Sequence, residues 1–400
     1  MGVMKRIWME AQERGNLPPD KGSRYICTHH YTDSYLNGFI RENAINGQCS
    51  FCGRKTKVCD MHDFLSMVMF RIVLQYEDFE DAMLYSASGF YDSPDEVIPG
   101  FRNINGYVVP DEAEYYGSTE ELMEVVDLVS GDSNVDNYVK NQFGTNQWIS
   151  RDIFNSDSAT ELFNSWLRFV KLVRTQRRFT FLAKPDALSI EIHGRPCNLL
   201  EEIQNYINLC HLCVTLPTAT NLYRARRVET EASHYGFADL TSPPDMNARA
   251  NRMSPVGISM FYASLDLETA QSECTGAGSH IVVGHFRPQR VLKIIDFTRL
   301  PKLSFWMENY EPNHFLHLFH QELVKPIAVD DANAISYVPS QVFTEYLRYM
   351  FVNNTGEHVD GMEYRSAKTG KHNIVLFCDQ HMSEDMLQLI SYSTDSTKKY

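Results

Sequence analysis

Cys27-x-x-His30 is followed, after 18 intervening residues, by Cys49-x-x-Cys52, and this spacing constrains the chain more than any other feature. A two-residue gap lets both ligands of a knuckle reach one ion, and two knuckles fill the four tetrahedral positions that zinc prefers. Gly53, directly after Cys52, permits the tight turn such a knuckle needs. The set leaves no open coordination position, so it predicts a structural Zn2+ rather than a catalytic one. His29, Cys59 and His62 compete for the fourth position. Residues 1–62, with 25–62 as their metal-stapled part, are therefore expected to be a zinc-knuckle unit, after a polar and irregular stretch over 1–24.

A chain of 400 residues is too long for one ordinary core and suits two domains. With 43% hydrophobic and 22% charged residues it can bury a real core. The net charge of −14 repels phosphate backbones and argues against general nucleic-acid binding. The first residues lack an apolar core and a cleavage site, and Arg6 spoils a myristoylation start. No run of about 18 apolar residues suggests a membrane span. The nine cysteines are an odd number, read as reduced and partly metal-binding, so a cytoplasmic protein is expected. Nothing in the sequence indicates an oligomeric state.

Residues 63–214 read as mainly helical. Apolar positions recur at helical spacing over 63–88. Residues 90–117, rich in Gly, Pro, Asp and Tyr, read as loop. Ser118 stands three residues before Glu121, and Ser158 three before Glu161, which predicts two capping boxes ahead of helices. The second helix ends in Arg174, Arg177 and Arg178, read as a solvated helix end that suits the dipole. Residues 199–215 predict one more helix. Cys210 and Cys213, inside that apolar run, read as core. His314, His317 and His320 alternate with Phe and Leu and read as a half-buried helix face.

The character changes from about residue 215. Short β-rich runs (LYRAR, SMFYAS, HIVVGHF, VLKIIDF, NIVLF) alternate with helices at 266–275, 311–324 and 339–353, which predicts an α+β fold over 215–380. Residues 381–400 read as a polar tail. Arg224 and Arg226 alternate in a strand and so share a face. If that face is interior, the two guanidinium groups need an anionic partner. Glu273 closes a short helix after a strand, and Ser366 lies on a loop leading into another strand.

In order, LYRAR, NRMSPVGISMFYAS, TAQSE, VPSQVFTEYLR and DGMEYRSAKTGKHNIVLF resemble a RES domain, the family named for its Arg, Glu and Ser residues. The resemblance implies a mixed β core similar to ADP-ribosyltransferases. It also implies consumption of NAD as substrate by cleavage of the nicotinamide–ribose bond, through hydrolysis or phosphorolysis, in a toxin or defence effector. On that resemblance Glu273, Arg224 and Ser366 are the catalytic candidates, and Arg226, Arg252, Tyr262 and Asn373 the substrate-binding ones, with Arg224 and Arg226 close enough to exchange places. Where the family has a Gly-Gly-Arg-Trp-Asn-like stretch, this chain has Ala-Asn-Arg-Met-Ser around Arg252. YICTHHY, FIRENAINGQCSFCG and the helix after them are similar to the zinc-knuckle and helical domain found before some RES and HEPN toxin domains. An antitoxin or regulatory partner protein is implied as well.

The chemistry suits these residue types. Breaking the glycosidic bond passes through an oxocarbenium-like state on the ribose. Arginines suit the pyrophosphate. Tyr262 suits stacking on nicotinamide. Glu273 suits the cationic ribose or the orientation of a nucleophile. Ser366 and Asn373 suit a phosphate or a ribose hydroxyl. Two other readings share the residues: ADP-ribosyl transfer to a protein, and a non-catalytic, zinc-dependent binding module with a degenerate RES half. Glu268, five residues from Glu273 and on another helix face, is a poor second acid for acceptor activation.

Overall fold

In a computed structural model, the structure describes residues 21–86, 101–105, 107–111, 113–143, 146–151, 158–178, 189–192, 195–229, 232, 234–274, 278, 280–326 and 334–396. The expected irregular stretch over 1–24 lies almost wholly outside them. The described residues up to Arg151, with Lys302–Tyr310, form one compact unit; those from Ser158 to Pro301 and from Glu311 onward form a second.

The first unit runs β1 (Tyr25–Ile26), α1 (Ser34–Glu42), β2 (Ile45–Gln48), β3 (Lys55–Asp60), α2 (Met61–Gln75), β4 (Tyr76–Asp78), α3 (Phe79–Ser86), β5 (Phe101–Ile104), β6 (Tyr107–Pro110), β7 (Tyr115–Tyr116), α4 (Thr119–Val125), α5 (Ser133–Phe143) and β8 (Trp148–Ser150). Strands β1, β3 and β2 make one antiparallel sheet, β4, β8 and β7 another, and β5 and β6 a hairpin. Asp33 caps α1 through the backbone N–H groups of Tyr35 and Leu36, and Asp60 caps α2 through that of His62. The predicted capping box at Ser118 forms: its hydroxyl accepts from Glu121 N–H at 3.2 Å. The Glu121 carboxylate reaches back to Gly117 N–H.

Two expectations change in this unit. The helical run over 63–88 breaks at β4, because Tyr76–Asp78 pair with β8 and the Tyr76 hydroxyl donates to Glu114. The described part of 90–117 holds a β5–β6 hairpin in place of plain loop. The core gathers Phe64, Leu65, Val68, Leu122, Val139, Phe143 and Trp148, and Trp306 completes it.

The second unit runs α6 (Ser158–Thr175), β9 (Ser189–Ile192), β10 (Arg195–Asn198), α7 (Leu199–Leu209), β11 (Cys213–Leu216), β12 (Leu222–Val228), α8 (Phe237–Leu240), β13 (Phe261–Ser264), α9 (Leu267–Glu273), β14 (His280–Pro288), β15 (Leu292–Asp296), α10 (Tyr310–Val324), α11 (Val338–Tyr349), β16 (Gly361–Arg365), β17 (His372–Leu376), α12 (Gln380–Met386) and β18 (Leu387–Ser396). Eight strands form one sheet in the order β11-β15-β16-β17-β13-β12-β14-β18. Only β15 and β16 pair in parallel, so the sheet is mixed and the fold is α+β. Gly361 is required there: a Cβ would stand 2.3 Å from the Val375 carbonyl oxygen.

Cross-strand register sorts the two faces. Ile295, Met362, Val375 and Tyr262 form one row, and Tyr364, Asn373, Ser264 and Tyr223 the next row on the same face. This face meets the helices in an aromatic core in which Phe319 touches Trp166 edge-on at 4.8 Å and Phe343 at 4.8 Å. The opposite face buries Leu222, Phe261, Phe286, Ile294, Ile374 and Leu376.

The compact units place the division near residue 157, where the sequence reading put it at 214. The cause is packing: α6 and α7 bury Leu162, Trp166, Phe169, Val173, Ile203 and Ile207 in the same core as α10 and α11. The predicted polar tail over 381–400 contains α12 and β18 in its described part. Leu387 is buried, Leu389 and Tyr392 pack on the second core, and β18 pairs along β14. The helix expected over 199–215 stops at Leu209; His211 turns at φ +53° and the chain enters β11.

Phe319 is fully buried at the centre of the aromatic core. Phe319→Ala is expected to cost about 3–5 kcal/mol, read as an earlier urea transition of the second unit. A transition within error of the unaltered protein would contradict this packing.

Candidate active site and metal centre

The metal centre is built by turns that present side chains inward. Cys27 follows β1, and Cys49 to Gly53 form a knuckle closed by Cys49 N–H to the Arg54 carbonyl and Gly53 N–H to the Cys49 carbonyl, with Gly53 at φ +71°. The ligand atoms of Cys27, His30, Cys49 and Cys52 all lie within 4.8 Å of one another. The Cys27 and Cys52 sulfurs are 3.6 Å apart, and His30 Nε2 is 3.3 Å from the Cys49 sulfur. Bonds of about 2.3 Å to a tetrahedral ion put two sulfurs roughly 3.8 Å apart, so the cluster can hold a metal ion. Asp132 stands 3.5 Å from His30 Nδ1, the arrangement that orients a ligating imidazole through its other nitrogen. Burial pushes the Cys27 thiol up to about 12, so its thiolate needs a cation close by. Of the competing ligands, His29 is exposed with Nδ1 3.6 Å from the Cys27 sulfur. Cys59 turns its thiol to the Asp60 carbonyl.

The second site lies in the other unit. Glu273 ends α9, and its Oε1 accepts the Ser366 hydroxyl at 2.6 Å and the Asn373 amide at 2.9 Å. Ser366 opens the β16–β17 turn, where its oxygen also accepts the N–H groups of Lys368 and Thr369 at 3.1 Å. Asn373 Oδ1 accepts the Ser264 hydroxyl at 2.7 Å. Ser366, Asn373 and Ser264 are all buried, while the Glu273 side chain keeps 33% of its surface exposed. Lys368 Nζ is 3.8 Å from Glu273 Oε2 and donates to the Ser272 carbonyl. Glu268 is instead 78% exposed and paired with Lys371 at 2.6 Å.

The arginines divide. Arg226 donates to the backbone carbonyls of Asp239 and Thr241, so its fork closes on the end of α8. Arg224 sits where β12 and β13 pair at the single position Tyr223–Ser264. One amino group reaches the Tyr262 carbonyl at 2.8 Å, the guanidinium lies 5.5 Å from the Phe261 ring, and the buried Nε–H has no partner among the described residues. Burial, and then the charge of Arg226, push Arg224 down to about 9. Both effects disfavour the charged form of the guanidinium.

Tyr262 shares a hydrogen bond of 2.9 Å with Ser254. Arg252 donates to the Leu323 carbonyl. The buried Tyr364 links these groups electrostatically: burial, then Tyr262 and Glu273, raise its hydroxyl, and Arg252 opposes them. Sequence reasoning missed Lys368, two residues past Ser366, and Arg227, which reaches the Cys274 and Gly278 carbonyls beside Glu273. On the helix face that carries His314, His317 and His320, His317 bonds the Pro301 carbonyl and His320 stacks on Phe297.

The RES domain family matches residues 221–393, and the family described as HEPN/RES N-terminal domain 1 matches residues 42–187. The chain is a HEPN/RES N-terminal domain joined to a RES domain. Neither the curated proteins nor the solved structures give a match. The RES match extends across β18 almost to its end. Among the described residues no helix is long and apolar enough to cross a membrane.

Replacing Cys49 and Cys52 together by Ser is expected to release about one metal ion per chain and to lower the melting temperature of the first unit, since binding energy in such knuckles is folding energy. Elemental analysis of protein purified without chelator checks this; no bound metal in the unaltered protein would overturn it.

Proposed function

We propose that the RES half cleaves NAD at the nicotinamide–ribose bond, transferring ADP-ribose to water or phosphate, in a toxin-like effector held in check by a partner protein. The observation that carries this reading is the Glu273 carboxylate, fixed on one oxygen by Ser366 and Asn373, with Lys368 3.8 Å from the other and 33% of the side chain exposed. A carboxylate so oriented stabilises an oxocarbenium-like ribose, or aligns the nucleophile that attacks it, without reorganising during the reaction. Arg224, with its unpartnered Nε–H, binds the pyrophosphate; Tyr262 stacks on the nicotinamide. Ser366 and Asn373 act through Glu273, to which each donates a hydrogen bond. Arg226 braces α8 and the strand that carries Arg224. The pairing of Glu268 with Lys371 favours a small nucleophile over a protein acceptor, since it leaves Glu273 without a second acid.

The metal in the N-terminal unit is Zn2+ in a structural role. Three thiolates and one imidazole are a donor set zinc favours, and together they fill its four positions.

Glu273→Gln keeps an oxygen for Ser366 and Asn373 but removes the charge. Single-turnover release of nicotinamide at saturating NAD is expected to fall at least about a hundredfold, with NAD still bound. Equal rates in the two proteins would remove the central residue of the proposal.

Arg224→Lys keeps the charge and loses the fork, so NAD binding weakens with little change in melting temperature. A variant that unfolds instead would make Arg224 a structural residue.

A further inference from the structure

A cavity of about 290 Å³ lies between α6 and the helices α10 and α11. It is lined by three cations, Arg174, Arg252 and Lys325, against one carboxylate, Glu322. Arg174 spends one amino group on the Ser336 carbonyl at 3.1 Å, and Lys325 pairs with Glu322 at 3.2 Å. Two lining residues carry buried N–H groups with no partner among the described residues: Nε of Arg174 and the indole Nε1 of Trp166, a side chain only 2% exposed. Buried donors of this kind cost free energy unless an acceptor meets them. A site with excess positive charge, spare N–H donors and room for little more than one sugar-sized group is suited to a phosphoryl group.

We propose that this cavity is a phosphate-binding subsite, and that Arg174 and Trp166 of α6 are part of it. Both residues lie outside the RES match at 221–393 and inside the N-terminal match at 42–187, so the subsite draws on both matched segments within one compact unit. A phosphate there belongs to one of three sources: free inorganic phosphate, the pyrophosphate of a dinucleotide, or a 2′-phosphate on its adenosine ribose. The link to NAD rests on the function proposed above, whereas phosphate binding itself does not.

The test is calorimetry on the full chain, titrated separately with inorganic phosphate, ADP-ribose, NAD, NADP and, as a phosphate-free control, adenosine. Arg174→Gln is expected to weaken the phosphate-bearing probes at least about tenfold, roughly 1.4 kcal/mol, and to leave adenosine unchanged. Lys325→Glu, at a position 68% exposed, is expected to act in the same direction and covers the case in which loss of the Ser336 contact unfolds the Arg174 variant. Weakening of inorganic phosphate identifies a free-phosphate site; weakening of ADP-ribose, NAD and NADP but not of inorganic phosphate identifies the pyrophosphate; weakening confined to NADP identifies the 2′-phosphate. Unchanged affinities in a folded variant, or no phosphate-bearing probe bound by the unaltered protein at millimolar concentration, would overturn the proposal. No turnover is read, so a protein without NAD-cleaving activity still gives a decisive result.

Discussion

One hydrogen-bonded carboxylate organises the candidate active site. Glu273 Oε1 takes two neutral donors, Ser366 from the β16–β17 turn and Asn373 from β17. Each donor is itself held, Ser366 by two backbone N–H groups and Asn373 by Ser264. Hydrogen bonds to a charged group are worth about 1.5–3 kcal/mol each, enough to fix the side chain in one orientation. The network joins α9, β13, β16 and β17, so the position of the carboxylate depends on the register of the sheet. A slip of one residue would turn Asn373 to the opposite face.

The same sheet explains the two arginines. They share a face of β12, yet their surroundings differ because β12 and β13 meet at only one position. Arg226 closes on the carbonyls at the end of α8, while Arg224 reaches the Tyr262 carbonyl and keeps an Nε–H without a partner among the described residues. A buried cation beside a like charge is costly by itself, and that cost is reduced when an anion binds. In the N-terminal unit the ligand atoms of Cys27, His30, Cys49 and Cys52 converge within 4.8 Å of one another, with Cys27 and Cys49 packed beside Val58.

Much of this was legible in the sequence, and the limits have physical causes. The four metal ligands could be read from their spacing, because knuckle geometry is local. The alternation of Arg224 and Arg226 could be read from strand period; which of them is tied up depends on carbonyls 13 and 15 residues away. That Ser366 and Asn373 grip Glu273 rests on the pairing of Asn373 with Ser264, a contact across 109 residues. The strand at Tyr76 was hidden because its partner lies near residue 149 and the helical periodicity runs on through it. The last strand was hidden because it is an edge strand rich in Ser, Thr and Gln, and because a bulge between Leu389 and Ser391 breaks the alternation that would link Leu387 and Leu389 to Tyr392. Arg174 read as a solvated helix end because the cavity beside it is formed by α10 and α11, far along the chain.

The account turns on whether the site built on Glu273, Ser366 and Asn373 breaks a glycosidic bond. The most direct measurement incubates the full, unaltered chain with NAD, with and without phosphate, and follows free nicotinamide and ADP-ribose or its 1″-phosphate by chromatography. The account predicts that nicotinamide appears in step with loss of NAD and in equal amount to the ADP-ribosyl product. NAD remaining intact in the presence of folded, metal-loaded protein, free of any partner, would contradict it.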